Sequence, residues 1–202
     1  MNEPIGLVFA TNIESEPFVK GLCLEQIENK PFGIYSGDRY YLVNAGIGKA
    51  NAAMAASYLI YKYNTKIIFN IGAAGSTTTG KKLGDIFHIE KAVEYDRPKI
   101  FSKGIRILEP DMLEGFSTAT LATQDKPVIS PQDRLDISIH ADLVDMEGAS
   151  VIQACRLFGA RCFLFKIVTD TPLHEEADII KNVKNTAVKM FEFFKAAVLK
   201  NI

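Results

Sequence analysis

Short apolar segments of strand length alternate along this chain with longer segments of helical periodicity. Such alternation favours an α/β fold, because parallel strands need long crossover connections that helices usually supply. The apolar segments predicted as strands are residues 5–10, 40–45, 66–71, 86–93, 118–122 and 162–168. We therefore predict a three-layer α/β/α sandwich around a twisted, mostly parallel central sheet.

A turn signal near the amino terminus modifies this picture. Segments 32–36 and 40–43 flank Gly37-Asp38, a dipeptide typical of tight turns. They predict an antiparallel hairpin, so the sheet should be mixed. Segment 97–117 is rich in proline, glycine and charge, and we expect a loop with one short strand there.

The helical segments are predicted at residues 48–63, 147–158 and 175–200. The first is rich in alanine, the second is followed by Gly159, and the third carries acidic residues early and lysines late. No repeat, low-complexity tract or linker divides the chain, so we predict one domain over residues 1–202.

Charge and composition narrow the classes of partner. Lys plus Arg number 23 against 24 Asp plus Glu, for a net charge of -1, which disfavours nucleic acid and membrane surfaces as partners. A hydrophobic content of 48% excludes a disordered chain. The start of the chain lacks a leader pattern and no apolar run reaches spanning length, so we expect a cytoplasmic protein. A small molecule is the expected ligand.

Cysteine and histidine usage argues against metal and disulfide chemistry. Cys23, Cys155 and Cys162 are odd in number, lie in apolar surroundings and form no C-x-x-C pair, so we expect reduced core thiols. The three histidines show no helical pairing, and we therefore predict no metal site.

Residues that follow strands are the first candidates for a site, because ligands of α/β sheets bind at the carboxyl ends of the strands. Glu14 follows the first predicted strand, Glu147 opens a helix and Asp170 follows the last strand. If the sheet is parallel at these strands, the carboxylates converge on one rim. Two glycine segments, Gly46-x-Gly48 and residues 72–76, also follow strands, but neither completes a phosphate-binding or dinucleotide-binding motif.

Each acidic candidate also has a purely structural interpretation. Thr11-x-x-Glu14 fits a capping box, Asp145 and Glu147 fit an acidic helix start, and Asp170 before Thr-Pro fits a turn. Local pattern alone favours these interpretations, since caps are commoner than active sites.

The order of these motifs resembles a known family. Along the chain stand Gly-Ile-Gly-Lys-Ala-Asn-Ala-Ala-Met-Ala-Ala from 46, Asn-Ile-Gly-Ala-Ala-Gly from 70, Leu-Gly-Asp-Ile from 83, Val-Asp-Met-Glu-Gly-Ala from 144 and Phe-Lys-Ile-Val-Thr-Asp from 165. This ordered set is similar to the purine nucleoside phosphorylase and nucleosidase superfamily, and within it to the methylthioadenosine/S-adenosylhomocysteine nucleosidases. The resemblance extends from Ile5 to about Pro172.

The resemblance implies an enzyme that cleaves the bond between a purine and a ribose without a metal or organic cofactor. It implies that Asp170 delivers a proton towards purine N7, that Glu14 activates water and that Glu147 binds the ribose hydroxyls. An acid in this role must hold its proton near neutral pH, so we expect a closed, partly apolar pocket around Asp170. A homodimer is also implied by the family.

The same resemblance assigns residues to substrate binding. Met146 would pack on the sugar, and the main chain around Pro127 and Val128 would contact the edge of the base. The remaining positions carried over to the pocket are Ile47, Ala73 and Thr169.

Several alternatives stay open at this point. The loop after the first strand offers Glu14 and no Arg or Lys, which favours water over phosphate as nucleophile, although Lys49 and Lys81-Lys82 leave phosphorolysis open. A futalosine hydrolase and a catalytically silent nucleoside-binding protein are the other candidates. The sequence departs from the family pattern at Ala73, Gln124 and Lys166, and segment 96–117 is shorter than usual.

Overall fold

The computed structural model describes residues 3–98, 104–174 and 176–202. Its strands are β1 (Ile5–Phe9), β2 (Glu25–Glu28), β3 (Gly33–Gly37), β4 (Tyr40–Asn44), β5 (Ile67–Ser76), β6 (Ile86–Glu94), β7 (Arg106–Leu108), β8 (Thr118–Thr123), β9 (Leu143–Asp145) and β10 (Arg161–Asp170). Its α-helices are α1 (Asn12–Gly21), α2 (Lys49–Tyr63), α3 (Pro131–Ser138), α4 (Gly148–Phe158) and α5 (Ile179–Phe193). A 3-10 turn (Glu176–Asp178) precedes α5, and a π-turn (Phe194–Val198) and a 3-10 turn (Leu199–Asn201) follow it.

The strands of the described residues form one mixed sheet, as predicted. Strand β1 pairs in parallel with β4 and β5, and β5 pairs in parallel with β10 along the longest ladder of the sheet. The predicted hairpin is present as β3 and β4, with Asp38 at φ 50° in the turn. Parallel ladders pair more residues than antiparallel ones, which agrees with the predicted sheet.

Part of the sheet closes on itself. Strand β10 pairs with β5 on one edge and antiparallel with β6 on the other. Strand β6 continues in parallel to β8, β8 to β9, and β9 returns antiparallel to β5. The strands β5, β10, β6, β8 and β9 therefore form a closed ring, whereas β1 to β4 extend from it as an open sheet.

Two hydrophobic cores lie on opposite faces of the sheet and make it the middle of three layers. Side chains alternate along β1, so that Leu7 packs with α1 and α5, and Val8 packs with α2 and α4. Both faces of β1 are buried, as expected for a strand covered by helices on each side. The α/β/α prediction is confirmed, whereas the single domain over 1–202 stays a prediction.

Two strands extend beyond the apolar segments that predicted them. Strand β5 continues through the glycine segment to Ser76, and β10 continues to Asp170. The prediction that residues 72–76 and 169–170 lie after these strands is therefore wrong. Pairing between Ile167 and Ala73 and between Asp170 and Gly75 supplies the ladder partners that glycine-rich sequence alone does not reveal.

Some of the remaining predictions agree with the structure, and others are wrong or fall outside the described residues. Helices α2 and α4 begin and end within one residue of prediction, and the short strand β7 lies in segment 97–117, of which 99–103 fall outside the described residues. The predicted start of the last helix, Glu175, also lies outside them. Helix α3 was not predicted and helix α1 was indicated only by its capping box, since both have weak apolar periodicity. Cys155 and Cys162 are buried, but Cys23 is exposed, so the prediction of a core thiol is wrong there.

No helix within the described ranges is long and apolar enough to cross a membrane.

Candidate active site

A cavity of about 210 Å³ opens beside the carboxyl ends of β1, β5 and β10. It is formed by the loop after β1 and the start of α1, the loop between β4 and α2, the second half of β5 and the segment between β8 and α3. The end of β9 and the residues before α4, the end of β10 and the start of α5 complete it. The sequence candidates that line it are Glu14, Ile47, Ala73, Pro127, Val128, Met146, Glu147, Thr169 and Asp170. Every site residue taken from the sequence therefore borders one cavity.

The three carboxylates reach this cavity by different routes. Glu14 and Asp170 meet because β1, β5 and β10 are parallel neighbours. Glu147 arrives from β9, which runs antiparallel to β5, with Val144 opposite Gly75. The ring of strands, and not parallel pairing alone, brings Glu147 to the same cavity.

Glu14 is held by three hydrogen-bond donors. Its Oε2 accepts from the Thr11 backbone N–H at 2.9 Å and from the Thr11 hydroxyl at 2.7 Å. Its Oε1 accepts from the Ala73 N–H at 2.9 Å. Thr11 and Glu14 form the predicted capping box of α1, and the same carboxylate lines the cavity. The structural and the functional interpretations are therefore compatible at this position.

Gly72 leaves the space that Glu14 occupies. A Cβ atom at Gly72 would lie 2.6 Å from Glu14 Oε1, closer than such atoms approach. Glycine on this strand is thus required for the close approach of a side chain, and not for an unusual backbone angle.

Glu147 is buried and shares its surroundings with other charges. Its Oε1 accepts from the Gly48 N–H at 2.9 Å. Burial raises the pKa of Glu147 to about 7, and the charge of Asp145 adds to this effect, while Lys166 and the Gly48 N–H oppose it. Gly48 adopts φ 105°, a conformation that favours glycine and aims its N–H at the carboxylate. The carboxyl group of Glu147 can therefore change its charge near neutral pH.

Asp145 and Lys166 form a buried ion pair next to Glu147. Asp145 Oδ2 lies 2.8 Å from Lys166 Nζ and accepts from the Gly148 N–H at the start of α4 at 2.8 Å. Asp145 Oδ1 accepts from the Thr123 hydroxyl at 2.6 Å. Burial by itself lowers the pKa of Lys166, but the nearby carboxylates, Asp145 first, outweigh it and raise the pKa. Asp145 is thus both the predicted acidic helix start and the counter-charge of a buried lysine.

Asp170 lies at the end of β10 and is also buried. Its Oδ2 accepts from the Arg134 guanidinium, and the Thr169 hydroxyl lies 3.1 Å from Oδ1. The surroundings expected for Asp170 were closed and partly apolar. Asp170 itself is buried, but the cavity is open to solvent at Ile47 and a buried cation lies against the carboxylate, so the expected closed pocket is not found.

The remaining candidates differ in exposure. Ile47 is 56% exposed at the mouth, whereas Val128 and Thr169 are buried in the wall. Met146 lies between Asp145 and Glu147 in the lining. Ile179 and Val183 of α5 also line the cavity, and neither was predicted as a site residue.

Two buried cations at this site were not predicted from the sequence, Lys166 and Arg134. The family resemblance marks Lys166 only as a departure from the pattern. Lys166 stands inside an apolar strand segment, where a lysine indicates a buried partner. Arg134 follows Ser130-Pro131, a helix-start signal that predicts α3 when it is recognised.

Comparison with known proteins gives the family. A sequence profile of the phosphorylase superfamily matches residues 4–116 and 113–200 of the chain. A 5′-methylthioadenosine/S-adenosylhomocysteine nucleosidase of Buchnera aphidicola is 37% identical over 232 residues, covering 98% of each chain. An aminodeoxyfutalosine nucleosidase of Campylobacter jejuni is 25% identical over 162 residues, covering 69% of this chain and 71% of the relative.

Solved structures agree with the fold. A mutant nucleosidase of Helicobacter pylori with 5′-methylthioadenosine in its active site superposes with a TM-score of 0.88 at 19% identity, covering 99% of this chain and all of the other. A futalosine hydrolase mutant of the same organism has the same TM-score and identity and covers 98% of this chain. The profile match over nearly the whole chain, together with the 37% identical relative, shows that this protein belongs to the phosphorylase superfamily.

Proposed function

We propose that this protein is an enzyme that hydrolyses the N-ribosidic bond of a 5′-modified purine nucleoside and releases the free base. The observation that carries the proposal is the meeting of Glu14, Glu147 and Asp170 on one cavity, each with different hydrogen-bond partners. Cleavage of such a bond needs a proton for the leaving base and an activated water for the sugar, a division of labour that suits separate carboxyl groups.

Glu147 serves the sugar in this proposal. An ionised carboxylate accepts hydrogen bonds from two ribose hydroxyls, and its charge also stabilises the positive charge that develops on the ring as the bond breaks. Met146 beside it supplies an apolar surface for the sugar. Gly48 holds one oxygen of Glu147, which fixes the orientation of the carboxylate.

Glu14 serves the nucleophile. Its carboxylate accepts three hydrogen bonds, which fix its position. It can therefore take a proton from a water molecule as that water attacks the anomeric carbon. The C1′–N9 bond breaks, the oxygen of water bonds to C1′, and the proton that this water loses passes to Glu14.

Asp170 serves the base. We propose that it relays a proton from solvent water to N7, so that the purine leaves as a neutral molecule and the carboxylate beside Arg134 is again ionised. Thr169 adjoins the acid, and the cavity is also lined by Pro127, Val128, Ala73 and Ile47. The matched pair of variants Asp170→Asn and Glu14→Gln should each abolish turnover while the protein remains folded.

Water is favoured over phosphate as the nucleophile. Each buried cation near the cavity already pairs with a carboxylate, Lys166 with Asp145 and Arg134 with Asp170. Lys49 lies 2.5 Å from Asp96 and Lys81 lies 3.4 Å from Asp142, and neither lines the cavity. Lys126, the lysine among the described residues that line the cavity, is exposed and pairs with Asp133 at 3.0 Å, so a phosphate dianion would meet Glu14 without a free buried cation there.

The substrate we favour is methylthioadenosine or S-adenosylhomocysteine, and the second candidate is a futalosine-type nucleoside. The relative with 37% identity over 98% of the chain is named for the first class, and the Campylobacter jejuni relative for the second. Purified protein should be incubated with methylthioadenosine, S-adenosylhomocysteine, futalosine, aminodeoxyfutalosine and inosine, with and without phosphate. Phosphate-independent adenine release from the first two supports our choice, whereas strict dependence on phosphate contradicts it.

We further propose a cytoplasmic homodimer. Free Cys155 and Cys162 suit a reducing compartment. Met54 and Tyr61 are exposed on α2 and offer apolar surface to a second copy. Light scattering of the purified protein measures the assembly, and a monomer at micromolar concentration would contradict the dimer.

A further inference from the structure

Arg134 lies behind the cavity and contacts it only through another residue. Its side chain is 3% exposed and does not line the cavity. Its Nη1 donates to the Ser76 carbonyl at 2.7 Å, and its Nη2 donates to Asp170 Oδ2. The guanidinium thus spans the end of β5 and the end of β10, with one nitrogen on each strand.

Helix α3 holds this arginine in a fixed position. Ser130 caps the helix by accepting from the Asp133 N–H at 3.0 Å, and Pro131 fixes its first turn. Ile137 anchors α3 in a small core with Val128 and Val144, both of which line the cavity. The wall that would face the base and the arginine that holds Asp170 are therefore parts of one packed unit.

Strand β5 leaves room for the pair. A Cβ atom at Gly75 would lie 2.6 Å from Asp170 Oδ2 and 3.0 Å from Arg134 Nη1. Any larger residue at this position would push into both partners. Gly75, the buried Arg134 and Asp170 at the end of β10 therefore lie next to one another.

We propose that Arg134 is a positioning residue for the reaction, which orients the Asp170 carboxylate towards the purine. The inference rests on the proposed function. The hydrogen bond from Arg134 to Asp170 Oδ2 prevents rotation of the carboxyl group, so that Oδ1 is the oxygen that can contact the ligand. Misplacement of a catalytic group by about 1 Å can cost about 100-fold in rate.

The test separates positioning from simple support of the fold. R134M keeps an unbranched side chain but removes both donors, and we expect kcat for adenine release from methylthioadenosine to fall about 10- to 100-fold, with KM within about threefold. R156M is the matched control. Arg156 lies near the end of α4, donates to the Glu109 carbonyl and has no contact with Asp170. Its kcat should equal that of the unaltered protein.

Binding to an inactive background supplies the second readout. Calorimetry should give the same affinity for methylthioadenosine in D170N and in R134M/D170N, because Arg134 acts only through the Asp170 carboxylate. A loss of affinity beyond about threefold in the double variant means that Arg134 supports the cavity as a whole and overturns the inference. Unchanged kcat in R134M overturns it as well.

If R134M does not fold, R134K tests the same role of Arg134. One Nζ cannot bond Asp170 and the Ser76 carbonyl together, so we expect kcat to fall about 3- to 10-fold. An R134K protein with unchanged kcat overturns the inference.

The ion pair can also be observed without a substrate, which separates this inference from the proposed function. In ¹⁵N NMR spectra, Nη protons of Arg134 should exchange slowly with water and should change in D170N. Fast exchange in the unaltered protein overturns the inference even when turnover is normal. Slow exchange in a protein that cleaves no nucleoside supports the ion pair and contradicts the proposed function alone.

Discussion

Lys166 Nζ lies 2.8 Å from Asp145 Oδ2, and both side chains are almost completely excluded from water. Asp145 also accepts from the Gly148 N–H at the start of α4 and from the Thr123 hydroxyl, so its carboxylate has three partners. Both residues lie on strands of the sheet, Asp145 at the end of β9 and Lys166 within β10. Burial is the main cause that raises the pKa of Glu147, while Asp145 adds to it and Lys166 opposes it, so we expect the pair to affect both the stability of this region and the charge of a cavity carboxylate.

Replacing Lys166 should destabilise the protein. In K166M, Asp145 stays buried without its counter-charge, which typically costs about 3–5 kcal/mol of unfolding free energy. Urea unfolding at pH 7 measures this loss. D145N/K166M should recover part of it, because asparagine still accepts from Thr123 and carries no charge. Equal stability of K166M and the unaltered protein would contradict the argument.

Glu147→Gln should lower activity and add stability above neutral pH. The pKa of Glu147 is raised to about 7 in the folded protein from an ordinary value of 4.5. Stability from this group is therefore complete below pH 4.5 and is lost as pH rises through about 7. The difference corresponds to about 3 kcal/mol at pH 8, which E147Q avoids because it carries no charge. Urea unfolding at pH 5 and pH 8 compares the two proteins.

The same titration should appear in the kinetics. Only ionised Glu147 accepts from both ribose hydroxyls, so kcat/KM should fall about tenfold for each pH unit below about 7. The residual activity of E147Q should lack this limb. Glu90→Gln is the control, since Glu90 is exposed on β6, and it should keep both the rate and the pH profile.

Gly72→Ala should weaken catalysis through Glu14. The new methyl group would lie 2.6 Å from Glu14 Oε1 and would displace the carboxylate from the Ala73 N–H. We expect kcat to fall about 10- to 100-fold by misplacement, against about 10²- to 10⁴-fold for Glu14→Gln. Gly33→Ala is a matched control on another strand, because the nearest atom to its Cβ is 3.9 Å away. A G72A protein as active as G33A would exclude this role for Gly72.

His88 should make the protein less stable at acid pH. Its Nδ1 lies 2.9 Å from the Leu164 carbonyl and its Nε2 lies 3.0 Å from the Leu113 N–H, so Nε2 must remain an unprotonated acceptor. Burial lowers the pKa of His88, and the hydrogen bond to Leu164 only partly opposes this.

The sign of the effect follows from linkage. Stability from His88 is complete above the ordinary pKa of 6.5 and is lost as pH falls towards the lower value of the folded protein. Thermal unfolding between pH 8 and pH 5 should show a smaller loss in H88Q than in the unaltered protein. His140 is exposed, and H140Q should keep the full loss.

Much of the fold and the candidate site could be predicted from the sequence. Apolar runs bounded by turn residues predicted the six principal strands, since period and length are local properties. The motif order pointed to Glu14, Glu147 and Asp170, which line one cavity. The functional roles of these residues remain proposals.

The local sequence did not predict features that depend on contacts between distant parts of the chain. Strands β5 and β10 continue through segments that look like loops, because each supplies the other's ladder partners. Helix α1 was recognised only by its capping box, since Phe18 is its one large buried apolar residue. Cys23 lies in a turn at φ 53°, on the surface, although its neighbours are apolar.

The sequence by itself determined the alternation of strands and helices, the hairpin turn and the set of acidic residues available for chemistry. Only the tertiary structure decided which charges meet. Lys166 and Asp145, and Arg134 and Asp170, pair across more than twenty residues of chain, because the closed ring of strands brings β9 and β10 together around β5. A buried charge is stabilised by whatever partner the fold places within about 3 Å, and that distance is a property of packing, not of sequence separation.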